Sequence, residues 1–319
     1  MASGSAAPWL SAIVPSHNGE RWLAAALQSI AAQGDPGIEV IVLDSSETAD
    51  SLAIVERFAN RLTIRACRRP DLASWMQKTN FGAGIARGDW ICMLHQDDLW
   101  LPNRCREIAR WLARQPAAVM HLHPAYIIDE NGKRLGLWRC PLPSGATAVP
   151  RETLSERLLV QNFIAIPTPV IRRAAYLEAG GLDEQLWFTA DWDLYLRLMF
   201  AGEVYYHAEP LACFRIYGNS LTMSGSRSIE DFRQQMEVVR DRHIGKLAAR
   251  RDETLRIANA SIAINVALAA AANGNPARLL AAAAGLLVLG PRGVLRYFRY
   301  SRIFERAYPR LRARLAGRL

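Results

Sequence analysis

Two adjacent carboxylates interrupt an otherwise apolar segment, GDWICMLHQDDLWLP, at residues 88–102. Asp97 and Asp98 follow a run that is apolar enough to be a buried strand, and Asp44 closes another such run, EVIVLD. Carboxylate oxygens bind Mg²⁺ or Mn²⁺, and such an ion can bridge the oxygens of a diphosphate. The alternative is that each aspartate only caps the helix that follows it. Metal binding is favoured over helix capping if both positions lie on one rim of the fold.

The first 115 residues alternate between strand-like and helix-like stretches. The strand-like runs lie at 11–15, 39–44, 62–67 and 89–95, and the helix-like stretches near 19–33, 50–60, 74–87 and 103–115. Short apolar strands joined by helices indicate an α/β fold with a parallel sheet. Ligands of such sheets bind outside the carboxyl ends of the strands, so Asp44 and Asp97 should face the same rim.

The pattern changes after residue 118. The sequence predicts a hairpin with its turn at Asn131–Gly132, a strand at TPVIRR and a strand over EVYYHAEPLACFRI. It predicts helices near 151–161, over 190–202 and from about Ser228. We place a domain boundary near residue 245. The main domain is then 1–245, with halves of about 10–117 and 118–245, and a basic, Ala- and Arg-rich helical extension covers 246–319.

Composition indicates a cytoplasmic protein with a large core. Half of the residues are hydrophobic, and five cysteines are scattered without metal-like spacing, as in a reducing compartment. The first residues lack a basic segment followed by an apolar signal core, so export is not expected. The apolar runs at 258–272 and 279–290 are shorter than a membrane span, and we predict that they are packed helices.

The basic charge is concentrated at the carboxyl end. Residues 240–319 contain 16 Lys and Arg against 4 Asp and Glu, a net of +12 in a chain whose total is +9. Five arginines recur at helical spacing beside aromatic residues, and they are Arg292, Arg296, Arg299, Arg302 and Arg306. A basic face beside an aromatic one suits an anionic membrane surface, here over residues 291–319. The alternative is a solvated Arg face with the aromatic residues packed on the domain. Nucleic acid is not expected as a partner.

Five ordered segments together resemble glycosyltransferase family 2, the inverting enzymes with a nucleotide-diphospho-sugar transferase fold. SAIVPSHNGERWLAAALQSI resembles the family's opening strand and helix, and VLDSSETAD its Asp-Asp-Gly-Ser-Thr-Asp run. NFGAGIARGDWICMLHQDDLWLP resembles the segment that leads into its Asp-X-Asp motif. GGLDEQL and ADWDLYLRL are similar to acceptor-side motifs, and CFRIYGNSLT to the Arg-X-His-Gly segment. The resemblance covers about residues 10–225 and implies a Rossmann-like, mostly parallel sheet flanked by helices.

The resemblance also implies residue roles. It places Asp44 at the base of the nucleotide, Asp97 at a Mg²⁺ or Mn²⁺ ion, Asp98 in the sugar pocket and Arg215 near the diphosphate. The other nucleotide-binding residues that it implies are Pro15, Ser16, Asn18, Asn80 and Gln96.

Four positions depart from the family pattern. Ser45 replaces the second Asp after the second strand, and Glu47 stands where a small residue is usual. His95 replaces the first Asp of the fourth-strand cluster. Tyr217 replaces the usual His after Arg215 and removes one contact to metal or diphosphate.

Two carboxylates, Asp191 and Asp193, are candidates for a general base. Side chains two positions apart on a helix point about 200° apart, so both cannot enter one site. Asp193 has Arg197 four residues on, the spacing of a surface ion pair. Asp191 has Tyr195 there instead, and it matches the general base of the family. Without the resemblance, Asp191 would be interpreted as a charge at a helix amino terminus.

The sequence therefore predicts a metal-dependent, inverting glycosyltransferase of the hexosyltransferase type, peripheral to the inner face of the membrane. Its donor would be a nucleotide-diphosphate sugar and its acceptor a saccharide or lipid-linked hydroxyl, in bacterial polysaccharide or glycolipid assembly. Two alternatives remain. A nucleotidyltransferase would need a Gly-rich basic phosphate loop, for which VPSHNGERW is poor. A catalytically silent nucleotide-sugar-binding protein could use the same fold.

Overall fold

Two sheets organise the protein, whose computed structural model describes residues 7–218 and 228–315. The strands are β1 (Leu10–Ser16), β2 (Ile38–Asp44), β3 (Thr63–Arg68), β4 (Trp90–Met93), β5 (Leu99–Trp100), β6 (Ala118–Leu122), β7 (Ala125–Ile128), β8 (Arg134–Trp138), β9 (Val170–Arg172), β10 (Glu203–Tyr206) and β11 (Ala212–Arg215). The central sheet has the order β10-β6-β9-β4-β1-β2-β3, and only β9 runs antiparallel to its neighbours. The predicted mostly parallel α/β sheet is confirmed.

Helices follow the strands in the first half and dominate the last third. They are α1 (Leu23–Ala31), α2 (Asp50–Glu56), α3 (Trp75–Ile85), α4 (Arg104–Arg114), α5 (Arg151–Val160), α6 (Arg173–Glu178), α7 (Ala190–Leu198), α8 (Ile229–Ile244), α9 (Arg251–Ala272), α10 (Arg278–Leu287), α11 (Gly290–Ser301) and α12 (Ile303–Leu315). Strands β1, β2 and β4 are buried along their whole length, as expected for a sheet covered on both faces.

The smaller sheet, in the order β5-β11-β7-β8, is the part that the sequence did not predict. Each of the two long strands predicted after residue 118 divides into two, and the halves belong to different sheets. The divisions coincide with Pro124 and Pro210, which lack the backbone N–H that a continuous strand would need. The predicted hairpin turn is present between β7 and β8.

The arginine stripe does not lie on one helix, which corrects the prediction. α11 ends at Ser301 and α12 begins at Ile303, because Arg302 adopts a left-handed conformation with a φ of 48°. Tyr297 and Tyr300 are buried and pack with Val160 of α5. For these two tyrosines, packing on the domain is the alternative that the structure supports.

The two apolar carboxyl-terminal runs behave differently. α9 is long and apolar enough to cross a membrane, but 44% of its most apolar window is buried, and it packs against α5 and α8. The prediction of a packed helix is therefore confirmed for 258–272. For 279–290 it holds for one face only, because α10 packs against α9 but Ala282 and Leu286 are its only buried residues.

Candidate active site

The carboxyl ends of β1 to β4 meet at one edge of the central sheet. Ser16 pairs with Asp44, and Asp44 pairs with Arg68, at the ends of their strands. β4 lies on the other side of β1, and Leu94 donates its N–H to the carbonyl oxygen of Ile13. The structure thus brings the end of β2 and the segment that contains Asp97 to the same rim.

Gln96 ties the end of β4 to the end of β1. Its Oε1 accepts the backbone N–H of His17 at 2.8 Å, and its Nε2 donates to the carbonyl oxygen of His17 at 3.0 Å. A Cβ on Gly19 would lie 2.9 Å from this Oε1 and 2.8 Å from the Ser16 Oγ. A larger residue at position 19 would displace the Ser16 and Gln96 side chains, and the Gln96 carboxamide holds the backbone of the segment after β1.

Asp44 lies beneath the surface of this rim. Its side chain is fully buried, and Oδ1 accepts the Ser46 hydroxyl at 2.7 Å. The same hydroxyl oxygen accepts the backbone N–H of Asn18 at 2.7 Å, and Asn18 has a φ of 49°. Ser45 and His17 are closer to solvent, with 3.2 Å between Ser45 Oγ and His17 Nδ1. The pair Ser45 and His17 thus presents the accessible polar groups beside Asp44.

Lys78 is a buried cation at this rim that the sequence reasoning missed. Its Nζ donates to the carbonyl oxygen of Ser16 at 2.7 Å. Burial lowers the pKa of Lys78 to about 8, and the charge of Asp44 acts in the opposite direction. The signal in the sequence is the capping box of Ser74 and Gln77, which marks the start of the helix that contains Lys78.

Three buried polar atoms at the strand ends have no hydrogen-bond partner within the described residues. They are Ser16 Oγ, Asp44 Oδ2 and His95 Nε2. Burial lowers the pKa of His95, so the ring is neutral near pH 7, and it lies 5.3 Å from the Trp75 ring. Buried polar groups are usually paired, so a ligand that enters this rim would meet three polar atoms that are open to hydrogen bonding.

Arg215 braces the segment that follows β4. Its Nε donates to the Asp97 carbonyl oxygen at 2.7 Å, and its backbone N–H donates to Asp98 Oδ1 at 2.9 Å. Its Nη1 donates to the carbonyl oxygens of Asp129 and Glu130 at 2.8 and 3.0 Å. Burial and the neighbouring Asp97 raise the pKa of Asp98 well above its usual value. Arg215 therefore joins three segments around the two aspartates.

Tyr217 contacts the other carboxylate of this pair. Burial, the charge of Asp97 and a hydrogen bond to Asp97 all raise the pKa of the Tyr217 phenol. The ring lies 4.5 Å from Trp22, whose Nε1 donates to the Glu130 carbonyl oxygen. The Tyr217 hydroxyl thus donates a hydrogen bond to Asp97 while its ring packs against Trp22. The predicted motif continues to residue 222, and its last residues, from 219, lie outside the described part of the chain.

Asp191 lies in the first turn of α7, and the residue is 9% exposed. Its Oδ2 accepts Asn162 Nδ2 at 3.1 Å, and its Oδ1 accepts the Trp192 backbone N–H at 2.7 Å. Burial raises the pKa of Asp191 to about 6. Such a carboxylate is ionised at neutral pH and is a better proton acceptor than an ordinary aspartate.

Asp193 has the opposite environment. It accepts hydrogen bonds from Arg197 Nε and His243 Nε2, both at 2.8 Å. Burial alone would raise its pKa, but these bonds outweigh burial and lower the pKa of Asp193 to about 2. Asp193 therefore serves an ion-pair network.

The segment before α7 reaches the rim through two tryptophans. Trp75 Nε1 donates to the Trp187 carbonyl oxygen at 3.3 Å, and the Trp75 ring also contacts His95. Asn80, one turn further along α3, uses its carboxamide on the loop before Asp191. Its Oδ1 accepts from Tyr176 Oη and the Leu182 N–H, and its Nδ2 donates to the Leu182 carbonyl oxygen.

A comparison with protein-family models matches residues 11–180 to the model described as glycosyl transferase family 2. This chain belongs to glycosyltransferase family 2. An uncharacterized glycosyltransferase of Haemophilus influenzae is 27% identical over 197 residues, which are 60% of this chain and 62% of that protein. One from Nostoc sp. is 24% identical, over 70% of this chain and 69% of its own length. The match thus spans about two thirds of the length of these relatives.

Solved structures show the same fold. Residues 1–349 of S. aureus TarS, in complex with UDP-GlcNAc, superpose with a TM-score of 0.66 at 17% identity, covering 97% of this chain and 92% of TarS 1–349. The mannosyltransferase PcManGT from Pyrobaculum calidifontis, in complex with GDP-Man and Mn²⁺, gives a TM-score of 0.55 at 16% identity, covering 95% and 88%. This family 2 member therefore shares its fold with these two proteins, whose structures were solved with nucleotide sugars bound.

Proposed function

We propose that this family 2 glycosyltransferase is an inverting, metal-dependent enzyme that moves a sugar, of the hexosyl class, from a nucleotide-diphosphate donor to an acceptor hydroxyl. The environment of Asp191 carries this proposal. A general base is most effective when its pKa lies near the working pH, and burial raises the pKa of Asp191 to about 6. The bonds from Asn162 and Trp192 fix the direction of its carboxylate.

The proposed reaction is a single displacement. Asp191 accepts the proton of the acceptor hydroxyl while the hydroxyl oxygen attacks the anomeric carbon, on the face opposite the leaving group. The bond between that carbon and the diphosphate oxygen breaks, and the nucleoside diphosphate departs with the electron pair. One displacement inverts the anomeric centre, and no covalent sugar intermediate forms.

The donor would bind at the rim formed by the strand ends. Pro15, Ser16, Asn18, Asp44, Asn80 and Gln96 stay our candidates for the nucleotide pocket. The unpaired Ser16 Oγ and Asp44 Oδ2 support this assignment. The contacts of Gln96 and Asn80 support an indirect role, because each holds the backbone of a loop beside the pocket. Asp98 and Arg215 are in contact, and we assign them to the sugar and diphosphate end of the donor.

A divalent cation would be held by Asp97. The described residues contain no group of three His, Cys, Asp or Glu side chains placed to bind a metal. Mg²⁺ often binds through one or two carboxylates together with substrate phosphates, so a single available carboxylate fits an ion that arrives with the donor. When bound, such an ion neutralises charge on the departing diphosphate.

A catalytically silent nucleotide-sugar-binding protein is the alternative function. The replacements at His95 and Tyr217 favour it, because each removes a side chain that is usual in the family. We assign the acceptor to saccharides or lipid-linked saccharides of bacterial polysaccharide or glycolipid assembly, with the enzyme at the cytoplasmic face of the membrane. The basic carboxyl-terminal helices support this location.

Thermal unfolding with nucleotide sugars, with and without Mn²⁺, tests the metal assignment. The melting temperature of the wild type should rise by about 3–6 °C when donor and Mn²⁺ are both at a hundredfold excess over Kd. Asp97→Ala should lose the rise in melting temperature that depends on Mn²⁺. Asp241→Ala, a change in an exposed ion pair on α8, should keep this rise. Tyr217→His should enlarge it, because imidazole is a common metal ligand.

Equal Mn²⁺-dependent stabilisation of the wild type and Asp97→Ala would contradict the metal assignment. Release of nucleoside diphosphate from the correct donor separates the two functions. An enzyme releases it, and a silent binding protein is stabilised by the donor without releasing it.

A further inference from the structure

The helix α10 leaves an apolar surface uncovered. Leu280, Leu287 and Val288 are 83%, 73% and 86% exposed. These positions recur at the spacing that places side chains on one face of a helix. The segment LLAAAAGLLVLG, at 279–290, contains no charged residue. A contiguous exposed apolar surface of this kind marks an interaction site rather than an ordinary protein surface.

A further exposed apolar residue follows the corner between α10 and α11. The two helices are bent by 117°, and Gly290 at the corner has a φ of +67°. Leu295 on α11 is 69% exposed. Large exposed apolar residues also occur on the main domain, at Leu177 and Phe200, but these are 41% and 38% exposed.

Positive charge flanks this apolar surface. Arg278 lies at the start of α10, and Arg292 and Arg299 lie on α11, all three exposed. Arg296 differs, because it is paired with Glu253 of α9. Residues 240–319 carry a net charge of +12, so the whole region is attracted to a negatively charged surface.

We propose that α10 and the α10–α11 corner dock onto an anionic lipid bilayer. Leucine and valine side chains would enter the boundary between head groups and acyl chains, and the flanking arginines would contact lipid phosphates. α10 has 10 residues and is about 15 Å long, half the thickness of the hydrocarbon core, so it lies in the membrane surface and does not cross. A bilayer fits better than a protein partner, because exposed arginines flank the apolar surface on α10 and α11 and their charge is complementary to lipid phosphates.

This proposal moves the membrane contact from the predicted arginine and aromatic stripe to the preceding helix. It does not depend on the reaction proposed above, because none of these residues belongs to the candidate active site. The melting temperature in solution therefore serves as an independent check that each variant is folded.

Vesicle flotation tests the docking surface. The full-length wild type should float with vesicles of phosphatidylcholine and phosphatidylglycerol, and much less with phosphatidylcholine alone. Leu280→Gln, Leu287→Gln and Val288→Gln combined should lower the bound fraction at least tenfold, with an unchanged melting temperature in solution. The matched control is Leu177→Gln with Phe200→Gln, which removes exposed apolar side chains elsewhere and should float like the wild type. Arg292→Gln with Arg299→Gln should bind more weakly and with less dependence on salt.

A fluorophore reports insertion directly. Four of the five cysteines are buried, so Cys67→Ser leaves a background in which Leu287→Cys can be labelled with an environment-sensitive dye. Anionic vesicles should shift the emission of this dye to the blue, and a dye at Leu177→Cys should not respond. Equal flotation of the triple variant and the wild type would overturn the proposal. A second pair of results would also overturn it: the wild type self-associates in solution and the triple variant does not, and vesicles leave the emission of the dye at 287 unchanged. The apolar surface would then be covered by a second copy of the chain.

Discussion

Two carboxylates on the first turn of α7 acquire opposite properties from the sides of the helix they occupy. Asp193 faces Arg197 and His243, and these donors hold its pKa at about 2. Asp191 faces a buried site with two neutral donors, and burial raises its pKa to about 6. Since one position suits an ion pair and the other a proton acceptor, the chemistry is assigned to Asp191.

Replacement of Asp191 should change the pH dependence of stability. A carboxyl group whose pKa is raised in the folded state stabilises the fold below its unfolded pKa of 3.8, and this contribution is lost as the pH rises through about 6. The wild type should therefore lose up to about 3 kcal/mol from this group between pH 4 and pH 7.5. Asp191→Asn does not titrate and should be more stable than the wild type at pH 7.5, by about 1–3 kcal/mol.

Urea unfolding at pH 4.5 and pH 7.5 measures this difference. The advantage of Asp191→Asn should shrink at the lower pH, and Asp241→Asn, in an exposed ion pair, should show no such trend. A constant offset between Asp191→Asn and the wild type at both pH values would mean that the Asp191 pKa is not raised.

At the scale of elements, local pattern predicted most of the central sheet. The predicted strand at 39–44 and helix at 74–87 fall within one residue or two of β2 and α3. Their apolar runs and caps are local signals, and the parallel order follows from the connections. The smaller sheet was missed because its partners β5, β11 and β7 come from distant parts of the chain, and β5 has only two residues.

Arg215, which joins three segments around Asp97 and Asp98, gives a prediction at the scale of elements. Arg215→Lys keeps the charge but cannot donate to the carbonyl oxygens of Asp97, Asp129 and Glu130 at once. The free energy of unfolding should fall by about 2–4 kcal/mol, and the affinity for the donor should fall with it. Arg134→Lys, an exposed change on the same sheet, is the control. Unfolding measured by urea and donor titration check both effects, and wild-type values for Arg215→Lys would show that the brace is dispensable.

At the scale of the whole molecule, the carboxyl-terminal helices differ in how much of their surface is covered. α9 joins the main core, whereas most of α10 is exposed. Ile262 and Val266 of α9 join the main core, so the predicted boundary near 245 divides residues that share a core. Composition could not distinguish α9 from α10, because both are rich in alanine and other apolar residues. Whether an apolar helix is covered depends on which neighbours reach it, and that information lies in tertiary packing.

The same limit applies to the site. The strand pattern predicted that Asp44 and Asp97 lie near one rim, and the family resemblance implied that Arg215 lies near the diphosphate. Neither predicted that Asp44 is fully buried or that Lys78 lies beside it. Burial of a charged side chain is decided by the surrounding loops, which have no periodic signal. Motif spacing identified the segments, and the structure was needed to assign each side chain its contacts.

Steady-state kinetics of Asp191→Asn beside Asp193→Asn, with donor affinity measured on the same samples, test the central claim most directly. We expect Asp191→Asn to bind the donor with the Kd of the wild type and to lose at least a thousandfold in kcat for sugar transfer. Asp193→Asn should be less stable and yet keep kcat within a few-fold at a temperature where it is folded. Transfer by Asp191→Asn at the wild-type rate, with an equally low Kd, would contradict the claim that this carboxylate takes the proton of the acceptor.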